Sequence, residues 1–268
     1  MTTHPLRNTD VSASRPAAPA APLARQWLPH QHGAWAMLAV PFLLGVAAST
    51  PSAWQVVLGA ASVSGYLASA TGQAWLRARR REPFTLPLAV YGVVFGGLGV
   101  TLAIAFPALL LSLVVLAPTT AMIVAGAKPG TRRDLANSFA QAVQALVLVP
   151  AAAFVSGSFA TTPVFIATAV GAAYLLGTVL VVRSVLRERH STSFTLLSVG
   201  LHAAFIVPAL VLGLAWLVLA IALTARAYAL PTIARRRLGT PKPLKPAHVG
   251  AVEAVMSIAV VVVAFLAL

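Results

Sequence analysis

The residues best placed to do chemistry in this sequence are polar side chains at helical spacing inside otherwise apolar runs. Ser62, Tyr66, Ser69, Gln73 and Arg77 recur every three or four residues, which puts them on one face of a helix. Asn137, Gln141 and Gln144 follow the same spacing below Asp134, so their amides descend roughly 10 Å along a helix that rises ~1.5 Å per residue. Ser198 and His202 lie one turn apart, as do Glu253 and Ser257, and Arg226 and Tyr228 close another apolar run. If these runs cross a bilayer, such groups are expensive there and turn toward a protein interior or a watery cavity. Glu253 in particular needs a cation, which Arg226 or Arg183 could supply. The competing reading is that Ser, Asn, Gln and a single His only hold membrane helices together.

Several other chemistries are excluded by what is missing or misplaced. The chain has no cysteine, hence no thiolate nucleophile, disulfide or Cys metal site. His30 and His32 would point about 200° apart on a helix, which makes a poor metal pair. Gly92, Gly96, Gly97 and Gly99 lack the following Lys of a phosphate loop, and close helix packing is their expected role. Asp10 and Asp134 are the only aspartates, so no Asp-rich magnesium motif and no Ser-His-Asp arrangement can be built.

The elements that must position these groups follow from composition. Of 268 residues, 59% are hydrophobic and 9% charged, with a formal net charge of +14, and the mean hydropathy is +0.88. A nucleic-acid binder would carry that charge on a far more polar chain. Segments of about 20 apolar residues are what a bilayer requires. Nine stand out, at 33–49, 54–76, 85–105, 107–125, 137–155, 162–182, 194–211, 213–230 and 249–267. The third and fourth meet at Phe106-Pro107, and the seventh and eighth are divided near Gly213. The expected fold is an all-α, polytopic transmembrane helix bundle over residues 27–268, preceded by a disordered Pro/Ala-rich cytoplasmic tail at 1–26.

Charge supplies the orientation. With the N-terminus inside, all 19 Lys and Arg residues fall in the tail or in the loops after spans 2, 4, 6 and 8. This segregation predicts cytoplasmic basic loops. The two best-matched loops, Leu-Arg-Ala-Arg-Arg-Arg-Glu-Pro-Phe-Thr-Leu at 76–86 and Leu-Arg-Glu-Arg-His-Ser-Thr-Ser-Phe-Thr-Leu at 186–196, share six of eleven residues. Either Leu- and Arg-rich loops coincide by chance, or spans 2–5 and 6–9 are a duplicated unit with a binding site between the repeats.

The start of span 1, Gln31-His32-Gly33-Ala34-Trp35 followed by Pro41-Phe42-Leu43-Leu44-Gly45, resembles the YwiC-like family of bacterial membrane proteins. Arg183-Ser184, Arg187-Glu188-Arg189 and Pro246-Ala247-His248-Val249-Gly250 are weaker echoes of it. The resemblance implies a multi-span protein of the bacterial cytoplasmic membrane and brings no activity to transfer. The layout also looks like that of the UbiA prenyltransferase superfamily, whose Asp-rich loops hold Mg²⁺ and a prenyl diphosphate. Glu82 and Glu188 give only one carboxylate per loop here, each beside arginines.

Three functions remain in competition. The first is binding of an anionic phospholipid headgroup, or of an isoprenoid or other (di)phosphate, in a cytoplasm-facing polar cavity. Arg77, Arg133, Arg183 and Arg187 would clamp the phosphate, since guanidinium needs no metal for this. His32, Gln73, Asn137, Gln141, His202, Arg226 and Glu253 would line the site. No cofactor is expected, and Mg²⁺ would enter only with a diphosphate. The second is a small-solute permease, and the third a membrane adaptor or assembly factor with no small-molecule site. Whether the chain is an enzyme is left open by its residues.

Overall fold

Alternating apolar runs and short turns give nine helical rods among the described residues of a computed structural model. The structure describes residues 27–28, 32–78, 81–127, 135–240 and 244–268. The rods are α1 (His32–Ala47), α2 (Ala53–Arg77), α3 (Glu82–Ala105), α4 (Pro107–Ala125) and α5 (Leu135–Phe154). They continue as α6 (Thr162–Leu186), α7 (Thr192–Leu212), α8 (Leu214–Arg236) and α9 (Pro246–Ala267). Seven, α3 to α9, are long and apolar enough to cross a membrane. α2 has the length at 25 residues but carries the polar stripe, and α1 at 16 residues is short. The tail at 1–26, Arg133 and the side chain of His32 lie outside the described residues.

Local chemistry explains the boundaries. Ser52 caps α2 by accepting from Trp54 N–H, while Gln55 Oε1 accepts from Ser52 N–H, a reciprocal capping box. Pro83, Pro107, Pro163 and Pro246 open their helices, where a missing N–H costs nothing. α3 and α4 meet directly at Phe106, and α7 and α8 turn on Gly213 at φ 114°, a backbone conformation that suits glycine.

Two rods are interrupted. α5 breaks between Leu146 and Leu148, and α7 between Ala204 and Ile206. In each case a proline stands four residues beyond the last residue of the first segment, Pro150 after Leu146 and Pro208 after Ala204. Proline removes the hydrogen bond to that carbonyl and its ring collides with it, which stops the first segment there.

α1 runs through the middle of the bundle. Val40 and Leu44 are fully enclosed, and α1 packs against α9, α5, α6 and α2. Gly45 lets it lie directly on α5: a Cβ there would meet Val149 O at 2.5 Å and Ala152 Cβ at 2.8 Å. α2 and α3 form a close hairpin in which Gly65 receives the ring of Phe95. The glycines of α3 do not serve close packing as their number suggests. A Cβ at Gly92, Gly96, Gly97 or Gly99 would meet nothing within 4 Å, because α3 turns its other faces to α2.

The ends of the rods sort by chemistry. At one end Arg77 Nε donates to Ala127 O at 3.1 Å, Arg81 stacks on Trp75, and Arg235 reaches Thr192. At the other, Thr50 bonds Ser158 and an aromatic chain runs Trp54–Phe106–Phe154–Phe159. All described Lys and Arg residues other than Arg226 lie near the first end. The helices flanking the matched loops at 76–86 and 186–196 pack differently: α2 lies chiefly on α3 and also meets α1 and α5, whereas α6 meets α5, α7, α1, α8 and α9.

Candidate functional site

α6, α7, α8 and α9 each send polar groups to one point in their common interior. Arg226 Nη1 of α8 donates to Glu253 Oε2 of α9 at 2.6 Å, with the two side chains 2% and 11% exposed. Thr178 of α6 lies between them, its hydroxyl 3.3 Å from Glu253 Oε2 and 3.5 Å from Arg226 Nη1. Arg226 Nη2 lies 3.1 Å from Nε2 of His202 on α7. His202 Nδ1 is 2.7 Å from Ser198 O, and a carbonyl can only accept, so Nδ1 carries the proton. Nε2 is then the acceptor for Arg226, which identifies the ring as neutral.

A second tier of bonds holds the carboxylate-bearing turn. The hydroxyls of Tyr174 and Ser257 are 2.7 Å apart, and both approach Glu253 O, at 3.2 and 2.8 Å. The Tyr174 ring centre is 5.6 Å from Arg226 Cζ, within cation–π range. Arg226 Nε, Glu253 Oε1 and Ser198 Oγ are buried with no protein partner.

Apolar layers close the centre on both sides. Toward the basic end lie Val181, Val185, Ala227, Leu230 and Val249. Toward the other end lie Leu175, Leu219, Ala220, Leu223 and Val260. The centre stands about 10 Å from the basic end of α9, seven residues beyond Pro246 at ~1.5 Å each. An open cleft of about 770 Å³ lies elsewhere, between α1 and α2 at the far end, lined by Phe42, Val46, Gln55 and Gly59 among others.

The other candidate residues fall into separate groups. Arg183, at the end of α6, donates through Nη2 to Glu188 Oε1 at 3.4 Å, while its Nε and Nη1 are buried with no protein acceptor. Arg187 is exposed one turn further on. Arg77 is exposed and engaged with Ala127 O, and Gln73 is half-buried one turn before it beside Ser69. Asn137 is buried against Gly126, whereas Gln141 points outward and is exposed. Among the described residues of the expected set, Arg77 and Asn137 both lie against Gly126-Ala127, while His202, Arg226 and Glu253 are brought together. Tyr174, Gly177 and Thr178 complete that centre and were not singled out by sequence. Their signal was there, a Tyr and a Thr one helical turn apart around a glycine inside an apolar helix. Among the described residues no three His, Asp or Glu side chains gather as metal ligands.

A bundle of apolar rods around a buried ion pair defines a multi-pass α-helical membrane protein. Comparison with known proteins adds a likeness: residues 28–153 match the family model described as YwiC-like protein. The chain is also 28% identical over 202 residues to the uncharacterized protein YwiC of Bacillus subtilis (strain 168), covering 72% of this chain and 81% of that one. No solved structure matches it. The matched family region holds α1 to α5, and the ion-pair centre lies beyond it in α6 to α9.

Proposed function

We propose that this protein binds a phosphate-bearing anion, a lipid headgroup or a (di)phosphate ester, at its basic end, with that end in the bacterial cytoplasm. One observation carries the reading. Arg183 keeps two guanidinium nitrogens buried without a protein acceptor, beside Arg187 and the end of α6. Leaving a buried donor unsatisfied costs about 1–3 kcal/mol, and a phosphate oxygen would relieve that cost. The concentration of basic residues at the same end favours an anion over a neutral solute. The test is native mass spectrometry of the detergent-purified chain. Wild type is expected to retain a phosphate-bearing lipid or ester that Arg183→Gln loses. Equal retention by both would refute the assignment to Arg183.

A further inference from the structure

The buried centre of α6 to α9 carries a separate inference. We propose that the Arg226–Glu253 pair is a proton-linked binding site for a small carboxylate, which takes the place of Glu253 on Arg226 when Glu253 accepts a proton.

The free atoms of the pair motivate this. Glu253 is held through Oε2 alone, so a proton can settle on Oε1 without displacing a protein hydrogen bond. Arg226 likewise has an uncommitted donor in Nε. His202 is the poorer proton acceptor, because its Nε2 already accepts from Arg226 and its Nδ1 already donates to Ser198 O. A proton on Nε2 would set an N–H against a guanidinium. The remaining titratable neighbour is Tyr174 on α6, whose hydroxyl is engaged with Ser257 and Glu253 O. α1, which packs on α6 and α9, contributes the apolar Val40 and Leu44.

Charge balance sets the stoichiometry. A proton alone would leave Arg226 as an unpaired cation in an apolar interior, and an anion alone would leave the centre with a net negative charge. Each state is strongly disfavoured in low dielectric. One proton on Glu253 together with one anion on Arg226 keeps the centre neutral. A carboxylate is the class that fits, because it matches in charge and shape the group Arg226 already holds. The α7 interruption between Ala204 and Ile206, two residues beyond His202, gives the helix a joint beside the centre.

The test is calorimetric titration of the detergent-purified chain with acetate, in two buffers of different ionisation enthalpy and on both sides of neutral pH. The expected result is binding that strengthens as pH falls, with one proton taken up per acetate. Glu253→Gln, which imitates the protonated carboxyl, is expected to bind acetate without proton uptake and without that pH dependence. Arg226→Gln is expected to abolish binding. Absence of acetate binding by wild type, or binding without proton uptake, would overturn the proposal. So would Arg226-dependent binding of inorganic phosphate in preference to acetate. The proton count on wild type decides the matter even where a variant does not fold.

Discussion

Gly177 of α6 and His202 of α7 meet with no room for a methyl group between them: a Cβ at position 177 would stand 2.6 Å from His202 Nε2. The glycine therefore lets the imidazole lie against α6 and reach Arg226. His202 cannot swing aside cheaply, being buried and bonded at both ring nitrogens. Gly177→Ala should destabilise the bundle by about 1–3 kcal/mol through overpacking. Thermal unfolding in detergent would read this as a lowered midpoint. An unchanged midpoint would mean that the ring is not held where the hydrogen bonds place it.

Breaking the ion pair should cost more than removing it. Glu253→Ala or Arg226→Ala leaves an uncompensated charge among apolar helices, for a loss of about 3–5 kcal/mol each. The double variant Arg226→Met with Glu253→Leu removes both charges and conserves volume, and should lie close to wild type. A double variant as unstable as the singles would show that the pair is kept for stability alone.

The fold was legible because its signals are periodic and long. Apolar runs located nearly every rod, the Phe106-Pro107 and Gly213 junctions fell where expected, and Glu253 did find Arg226. The grouping of the remaining residues was not legible. A helical stripe states which residues share a face and leaves open which helix that face meets. Gln141 illustrates this: it follows Asn137 by one turn, yet Asn137 is buried and Gln141 exposed. The α3 glycines mislead for the same reason, since composition cannot tell a packed glycine from one facing outward.

That difference among glycines is itself testable. Gly45 lies against the α5 backbone at Val149, which cannot move as a side chain can, so Gly45→Ala should cost more stability than Gly177→Ala. Gly96→Ala should cause no loss, because a Cβ there meets nothing within 4 Å and alanine is the better helix former by about 1 kcal/mol. Unfolding midpoints of the three variants, compared under one condition, should fall in the order Gly96→Ala, Gly177→Ala, Gly45→Ala from highest to lowest.

Buried amides offer a further check at the far end. Gln55 is enclosed and joins three elements: its Nε2 donates to Ser49 Oγ at 2.9 Å and to Ala152 O at 3.2 Å, and its Oε1 accepts from Ser52 N. Gln55→Ala removes the reciprocal cap of α2 and leaves Ala152 O short of a donor, for a loss of about 1–3 kcal/mol. Gln141→Ala, at an exposed amide, should be within about 0.5 kcal/mol of wild type. Similar midpoints for the two would contradict the burial that separates them.

The proposed orientation in the membrane can be read chemically. The chain has no cysteine, so an introduced thiol is the sole target of a maleimide. Thr240 lies at the basic end after α8, and Thr161 lies at the opposite end before α6; both are exposed. With the basic end in the cytoplasm, as proposed, Thr240 would lie inside and Thr161 outside. Thr161→Cys should react with a membrane-impermeant maleimide in intact cells, and Thr240→Cys only after permeabilisation. The reverse pattern would invert the protein. Equal labelling of both in intact cells would mean that an odd number of the rods between the two positions fails to cross.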